Sequence, residues 1–198
     1  MTAQSSRLIL IIAAFVASLV LGVSLGLLVA QRVYLPAPQP AAVGGPFKLT
    51  DQDGRTVTEQ DMKGRPYLVF FGFTHCPDIC PTTLFDISEV LRKLGPDADR
   101  AGALFITVDP QRDTPQAMKT YLSSFDPHLR GLTGDEAAVD GAIKAYRAYA
   151  KKVATPDGGY TMDHTALVYL MDKEGGFVAP FNLKRRPEEA AADLRRYF

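Results

Sequence analysis

Apolar positions follow two regimes along this chain. From Leu8 to Ala30 they run without a single charge, and only Ser18 and Ser24 are plainly polar. At about 1.5 Å per residue, a helix over this run reaches roughly 35 Å, enough to cross a hydrocarbon core of about 30 Å. The pattern predicts a transmembrane anchor over 8–30, bracketed by Arg7 and Arg32, after a short tip over 1–7. Beyond residue 46 the apolar residues return in short blocks. Tyr67 to Phe73 and Ala103 to Val108 are continuous apolar runs, the signature of strands covered on both faces. Thr165 to Met171 predicts a third strand, turned by Lys173-Glu174-Gly175-Gly176 into Phe177-Val178. Asp53-Gly54 between Phe47–Thr50 and Thr56-Val57 predicts a hairpin.

Between these blocks the apolar period lengthens. Leu84, Ile87, Val90, Leu91 and Leu94 share one helical face. Thr114-Pro115 opens a helix reaching about Phe125, and Asp135 opens another to about Tyr149. Pro187-Glu188-Glu189 starts a last helix with acids at its front and Arg195-Arg196 at its end, matching the helix dipole. Strands alternating with helices predict an α/β domain over 47–198, with a mostly parallel central sheet flanked by helices on both faces. Residues 31–46 carry Pro36, Pro38, Pro40 and Pro46 with Gly44 and Gly45, and read as a semi-rigid tether.

Composition adds little about partners but bears on the anchor. Among 198 residues, 22 basic and 22 acidic side chains balance, which gives no electrostatic footing for nucleic acid. A cleaved signal peptide is the rival reading of the anchor, with Leu28-Val29-Ala30 as a weak cleavage site. Its apolar core would normally be only about 7–15 residues, which favours the anchor. No cysteine directly follows the segment, which argues against a lipoprotein. The expected topology leaves the tip in the cytoplasm, with the domain in the periplasm or an equivalent oxidising compartment.

The candidate chemistry begins at Cys76-Pro77-Asp78-Ile79-Cys80-Pro81, which holds both cysteines of the chain. The segment lies between an apolar strand and a helix, where the helix N-terminus is expected to favour thiolate. Pro81 suits a first helical position, which places Cys80 just before the helix. Three readings stand. A structural disulfide across three intervening residues would stabilise little. The pair could instead exchange disulfides, or bind a soft metal with a third ligand.

His164, in Met162-Asp163-His164-Thr165, enters an otherwise apolar strand and reads either as a ligand or as a ring bonded to nearby backbone. His75 abuts Cys76 but should point away from it in an extended chain, and His128 reads as a surface-loop residue. Asp109-Pro110-Gln111-Arg112-Asp113-Thr114-Pro115 contains a helix cap at Asp113 or Thr114. In a parallel sheet that loop shares the carboxyl edge with the cysteine turn, so Asp109 and Arg112 are candidate borders of the site. Asp78, between the cysteines, is another, as is Asp163.

Three segments together resemble the SCO/SenC family: Phe71 to Pro81, Val108-Asp109-Pro110 with Arg112-Asp113-Thr114, and Asp163-His164-Thr165. The resemblance covers the whole folded domain. It implies a membrane-tethered, thioredoxin-like copper protein that helps assemble the binuclear copper centre of cytochrome c oxidase subunit II. It places the copper ligands on Cys76, Cys80 and His164, with one copper, Cu(I) or Cu(II), per chain. Other copper chaperones or thiol reductants are further implied partners. A thiol–disulfide oxidoreductase is the alternative, using the cysteines as a redox-active pair, and on the chaperone reading the protein is not an enzyme. A thiol peroxidase on this fold wants Thr or Ser three residues before its reactive Cys and Pro four before that; Phe73 and Val69 stand there.

Overall fold

The computed structural model describes residues 3–34 and 42–198. The chain divides into two compact units, 1–41 and 42–198. The first is a continuous helix, α1 (Ala3–Tyr34). Its window Ile11–Leu28 has a mean hydropathy of 2.6, long and apolar enough to cross a membrane. The helix runs four residues into the segment expected to be a tether. Residues 35–41 of that tether, and residues 1–2 of the expected tip, lie outside the described residues. Residues 42–46 belong to the folded unit: Gly44 N–H donates to the Ala145 carbonyl at 2.9 Å, and Val43 packs against the core.

The folded unit is built on β1 (Lys48–Asp51), β2 (Thr56–Thr58), β3 (Tyr67–Gly72), β4 (Gly102–Thr107), β5 (Leu129–Thr133), β8 (Val168–Met171) and β9 (Phe177–Pro180), ordered β2-β1-β5-β4-β3-β8-β9. Its helices are α2 (Ile79–Leu94), α3 (Pro115–Leu122), α4 (Glu136–Ala145) and α5 (Pro187–Arg195). A separate antiparallel hairpin comprises β6 (Ala150–Ala154) and β7 (Tyr160–His164).

The sheet is mixed rather than mostly parallel. Only β3–β4 and β4–β5 pair in parallel; β1–β2, β1–β5, β3–β8 and β8–β9 are antiparallel. Helical crossovers impose parallel pairing at the centre, while tight turns at Asp53-Gly54 and near Gly175 impose antiparallel pairing at both edges. Both turn glycines sit at positive φ, 80° and 88°, which only glycine adopts at little cost.

β3 and β4 are fully buried, so alternate side chains feed two cores. Phe70 stacks on Phe105, which meets Tyr121 of α3 on one face. On the other, Phe71 meets Tyr146, at the end of α4, and Tyr169 of β8 edge-on. α2 and α5 pack on each other. Each buried phenylalanine contributes about 1.5–3 kcal/mol relative to an exposed one.

Three boundaries depart from the pattern. α4 ends at Ala145 rather than near Tyr149, because Arg147 takes a left-handed φ of 52°. The strand expected from Thr165 begins at Val168, and His164 closes β7 instead. β5 was not foreseen. Its Gly131 breaks the apolar signal because α3 lies on it: a Cβ there would sit 2.6 Å from Leu122 and 2.9 Å from Met118.

Candidate metal centre

The carboxyl end of β3 delivers the first two site residues. After Gly72 the chain turns, with Cys76 N–H donating to the Phe73 carbonyl at 3.2 Å. α2 then begins at Ile79, so Cys80 lies in its first turn rather than ahead of it, and Pro81 is its third residue. The side chain of the N-cap residue, Asp78, makes no capping bond. The Cys76 sulfur faces that helix end instead, accepting from Cys80 N–H at 3.4 Å. Both cysteines are free thiols, so no disulfide closes the turn.

Cys80 is wholly buried beneath the helix. Burial pushes its thiol well above the usual cysteine range, and the neighbouring Cys76 adds to this. At Cys80 burial therefore opposes the pull of the helix end toward thiolate. The space for its sulfur exists because residue 72 is glycine. A Cβ there would lie 2.7 Å from Cys80 Sγ and 2.7 Å from the Phe105 ring.

His164 arrives from β7, half-buried, with Nε2 3.5 Å from Cys80 Sγ. Its Nδ1 lies 3.1 Å from the Thr165 carbonyl. A proton held there leaves the Nε2 lone pair facing the thiols, the usual second bond of a metal-ligating histidine. Phe70 and Phe73 wall the ring edge-on, with centroids at 6.2 and 5.7 Å. The ligand atoms of Cys76, Cys80 and His164 all lie within 4.8 Å of one another.

The other histidines stay out of this group. His75 is exposed and bonds Thr74 Oγ1 at 3.0 Å. His128 pairs with Asp126 and Asp99 at 2.7 and 3.3 Å. Of the proposed borders, Asp78 and Asp163 are exposed, and Asp78 contributes its carbonyl to Thr82. Asp109 is buried, its carboxylate ion-paired with Arg112 and accepting from the Tyr160 hydroxyl at 3.0 Å. Arg112 donates to the Tyr160 carbonyl at 3.2 Å and stacks 3.8 Å above its ring.

Three contributors escaped the sequence reading. Gly72 is one, and its place one turn before the cysteines was the available signal. Tyr160 is another, lost in a polar stretch. The third is Asp113, which is fully buried and does not cap α3; Thr114 does. Its carboxylate accepts from Thr107 Oγ1 and Thr74 Oγ1 at 2.6 Å each, and from Thr74 N–H at 3.1 Å. It thereby ties the cysteine turn to the end of β4. Burial raises its carboxyl above the usual range, while those hydrogen bonds pull the other way.

A buried Cys-x3-Cys pair at a strand–helix turn, faced by a histidine from a separate hairpin, defines an α/β protein able to hold a soft metal. Two sulfurs and an imidazole suit copper, and three ligands leave one side open. The sequence over residues 36–198 matches SCO1/SenC, and the chain belongs to that family. It is 41% identical over 155 residues to the mitochondrial SCO1 homologue of Mus musculus, covering 77% of this chain and 55% of that protein. With Arabidopsis thaliana SCO1 homolog 1, mitochondrial, it is 40% identical over 147 residues, covering 72% of this chain and 43% of that protein. The chain thus spans about half the length of these relatives. The structure of Bradyrhizobium japonicum ScoI with copper bound is 68% identical, with a TM-score of 0.78, covering 79% of this chain and all of that one. These likenesses establish the thioredoxin-like fold.

Proposed function

We propose that this protein binds one copper ion through Cys76, Cys80 and His164 and passes it to the binuclear copper site of cytochrome c oxidase subunit II. The convergence of the three ligand atoms within 4.8 Å carries this reading. The copper-bound ScoI relative supports the metal, and a more distant relative, BsSco, is described as a member of the Sco family of cytochrome c oxidase assembly proteins. Copper here is cargo. The thiols hold it as thiolates, so loading releases protons and needs the reduced pair. The open side of a three-ligand site lets an acceptor's ligands enter before the donor's leave.

On this reading α1 spans the inner membrane once. The tip lies in the cytoplasm and the folded unit in the periplasm, where other copper chaperones or thiol reductants load and reduce it. The balanced charge of the chain offers nothing to nucleic acid.

The free thiols on a thioredoxin-like fold favour a second reading, a thiol–disulfide oxidoreductase. There Cys76 and Cys80 close to a disulfide as a partner's disulfide opens to two thiols. His164→Ala separates the two, since it removes the imidazole and keeps both thiols. Cells carrying only that variant at limiting copper should lose oxidase activity. Full activity there would demote His164 and favour the oxidoreductase.

A further inference from the structure

The β6–β7 hairpin that carries His164 lies outside the main sheet and meets the core through Ala150 and Met162. It forms its own two-stranded sheet, and every residue of both strands is at least partly exposed. Near His164, Tyr149 N–H donates to Thr165 Oγ1 at 2.8 Å and Thr165 N–H to the Tyr149 carbonyl at 3.0 Å. Those bonds join the two legs of the hairpin to each other. Beneath it, between α4 and the 108–111 loop, a cavity of about 190 Å³ remains, lined in part by Met162, Ile143 and Asp109.

The opposite end of β7 is held differently. The Tyr160 hydroxyl donates to Asp109 at 3.0 Å, and Asp109 is fixed in turn, 3% exposed, with its N–H on Thr107 Oγ1 at 2.9 Å. Arg112 pairs with Asp109, donates to the Tyr160 carbonyl at 3.2 Å and stacks on the Tyr160 ring at 3.8 Å. Lys152 lies 3.6 Å from the same ring centroid and donates to Gln111 at 3.1 Å. The Arg112 guanidinium is also 5.8 Å from the ring of Phe73, which walls His164. Tyr160 and His164 lie four residues apart on one strand, so they share a face. A clamp at residue 160 therefore sets the tilt of the strand that aims the imidazole.

We propose that Tyr160, Asp109 and Arg112 form a latch that positions His164 over the two thiols, so that releasing it turns a three-ligand site into a two-thiolate one. Tyr160 is thus a positioning residue for copper, remote from the ion. The inference rests on the copper reading and names a determinant of that site.

Tyr160→Phe is the informative variant: it deletes the hydroxyl bond to Asp109 and keeps the stacked ring. In the whole chain in detergent, without metal, amide exchange across 160–164 should quicken several-fold while β3 and β4 stay protected. Copper affinity of the reduced chain should fall about tenfold, as for other supports of metal ligands. In a His164→Ala background the same change should alter copper affinity less than about twofold, because the pair then has nothing to couple. Equal losses in both backgrounds would make Tyr160 a general support of the fold and overturn the latch. So would unchanged exchange in the hairpin. Failure of the parent chain to bind copper overturns the site reading itself, while the metal-free exchange result still decides whether the latch holds the hairpin.

Discussion

Cys80 has no exposed surface, and its sulfur fills the space left by Gly72 against Phe105. His164 closes a hairpin that lies outside the main sheet and is exposed along most of its length. The thiols are placed by the same packing that folds the domain, so their geometry is established once the sheet forms. The imidazole is placed by the polar contacts around Tyr160, by aromatic walls and by the packing of Ala150 and Met162 on the core. On the proposed latch, a three-ligand site assembled this way has two donors fixed by the core and one whose position depends on the hairpin. On the copper-delivery reading proposed above, which asks the site both to hold and to release a metal, that asymmetry is useful.

The sharpest contrast comes from deleting one ligand on each side. Cys80→Ala should abolish stoichiometric copper binding and thiol exchange together, and should also cost stability by leaving a cavity under α2. His164→Ala should lower copper affinity severely while exchange with a small disulfide changes only modestly, since the helix end and both thiols persist. The two sides also differ in melting temperature: the histidine variant should melt within a degree or two of the parent, and the cysteine variant lower. Matching losses of stability would erase the distinction between donors fixed by the core and one that depends on the hairpin.

A subtler change tests the packed side alone. Gly72→Ala adds one methyl where Cys80 Sγ and Phe105 leave no room. Overpacking there should lower stability by about 1–3 kcal/mol. It should also displace the Cys80 sulfur and weaken copper binding with His164 untouched. Denaturant unfolding beside a copper titration reads both; a fully stable variant with parental affinity would show that Cys80 is less confined than its surroundings imply.

The legibility of the two sides in the sequence follows the same division. Strand β3 and helix α2 announce themselves through a continuous apolar run and a helical period, because both bury most of their surface. The cysteine turn between them was therefore placed correctly, apart from Cys80 lying inside the helix. The hairpin has no such signal. Only Ala150 and Met162 of the two strands pack against the core, too few to mark a period-two pattern, and α4 was expected to run on through Tyr149. His164 stood out only as a polar residue before an apolar strand, and through the family resemblance. Tyr160 had no signal at all, since its partners Asp109 and Arg112 lie far away in sequence. The antiparallel edges of the sheet were implicit in its two tight turns, and the alternation of strands with helices obscured them.

The smallest expected effect concerns the buried carboxylate that ties the cysteine turn to β4. The folded Asp113 carboxyl is raised above its unfolded value, chiefly by burial, so ionising it costs folding free energy. That cost is absent below the unfolded pKa of about 4 and fully present above the raised folded value. The parent should therefore gain stability relative to Asp113→Asn as the pH falls from neutrality toward 4. Unfolding curves for both proteins across that range report the difference with other titrating groups cancelled, and a flat difference would assign Asp113 no net burial cost.

The central claim, a three-ligand copper site built on two free thiols, is tested most directly by titrating copper into the whole chain in detergent with the thiols reduced and then oxidised. The reduced chain should take up one equivalent, with strong sulfur-to-copper charge transfer when the ion is Cu(II), and the oxidised chain should take up none. A disulfide form that binds copper as tightly as the reduced form would contradict the assignment of Cys76 and Cys80.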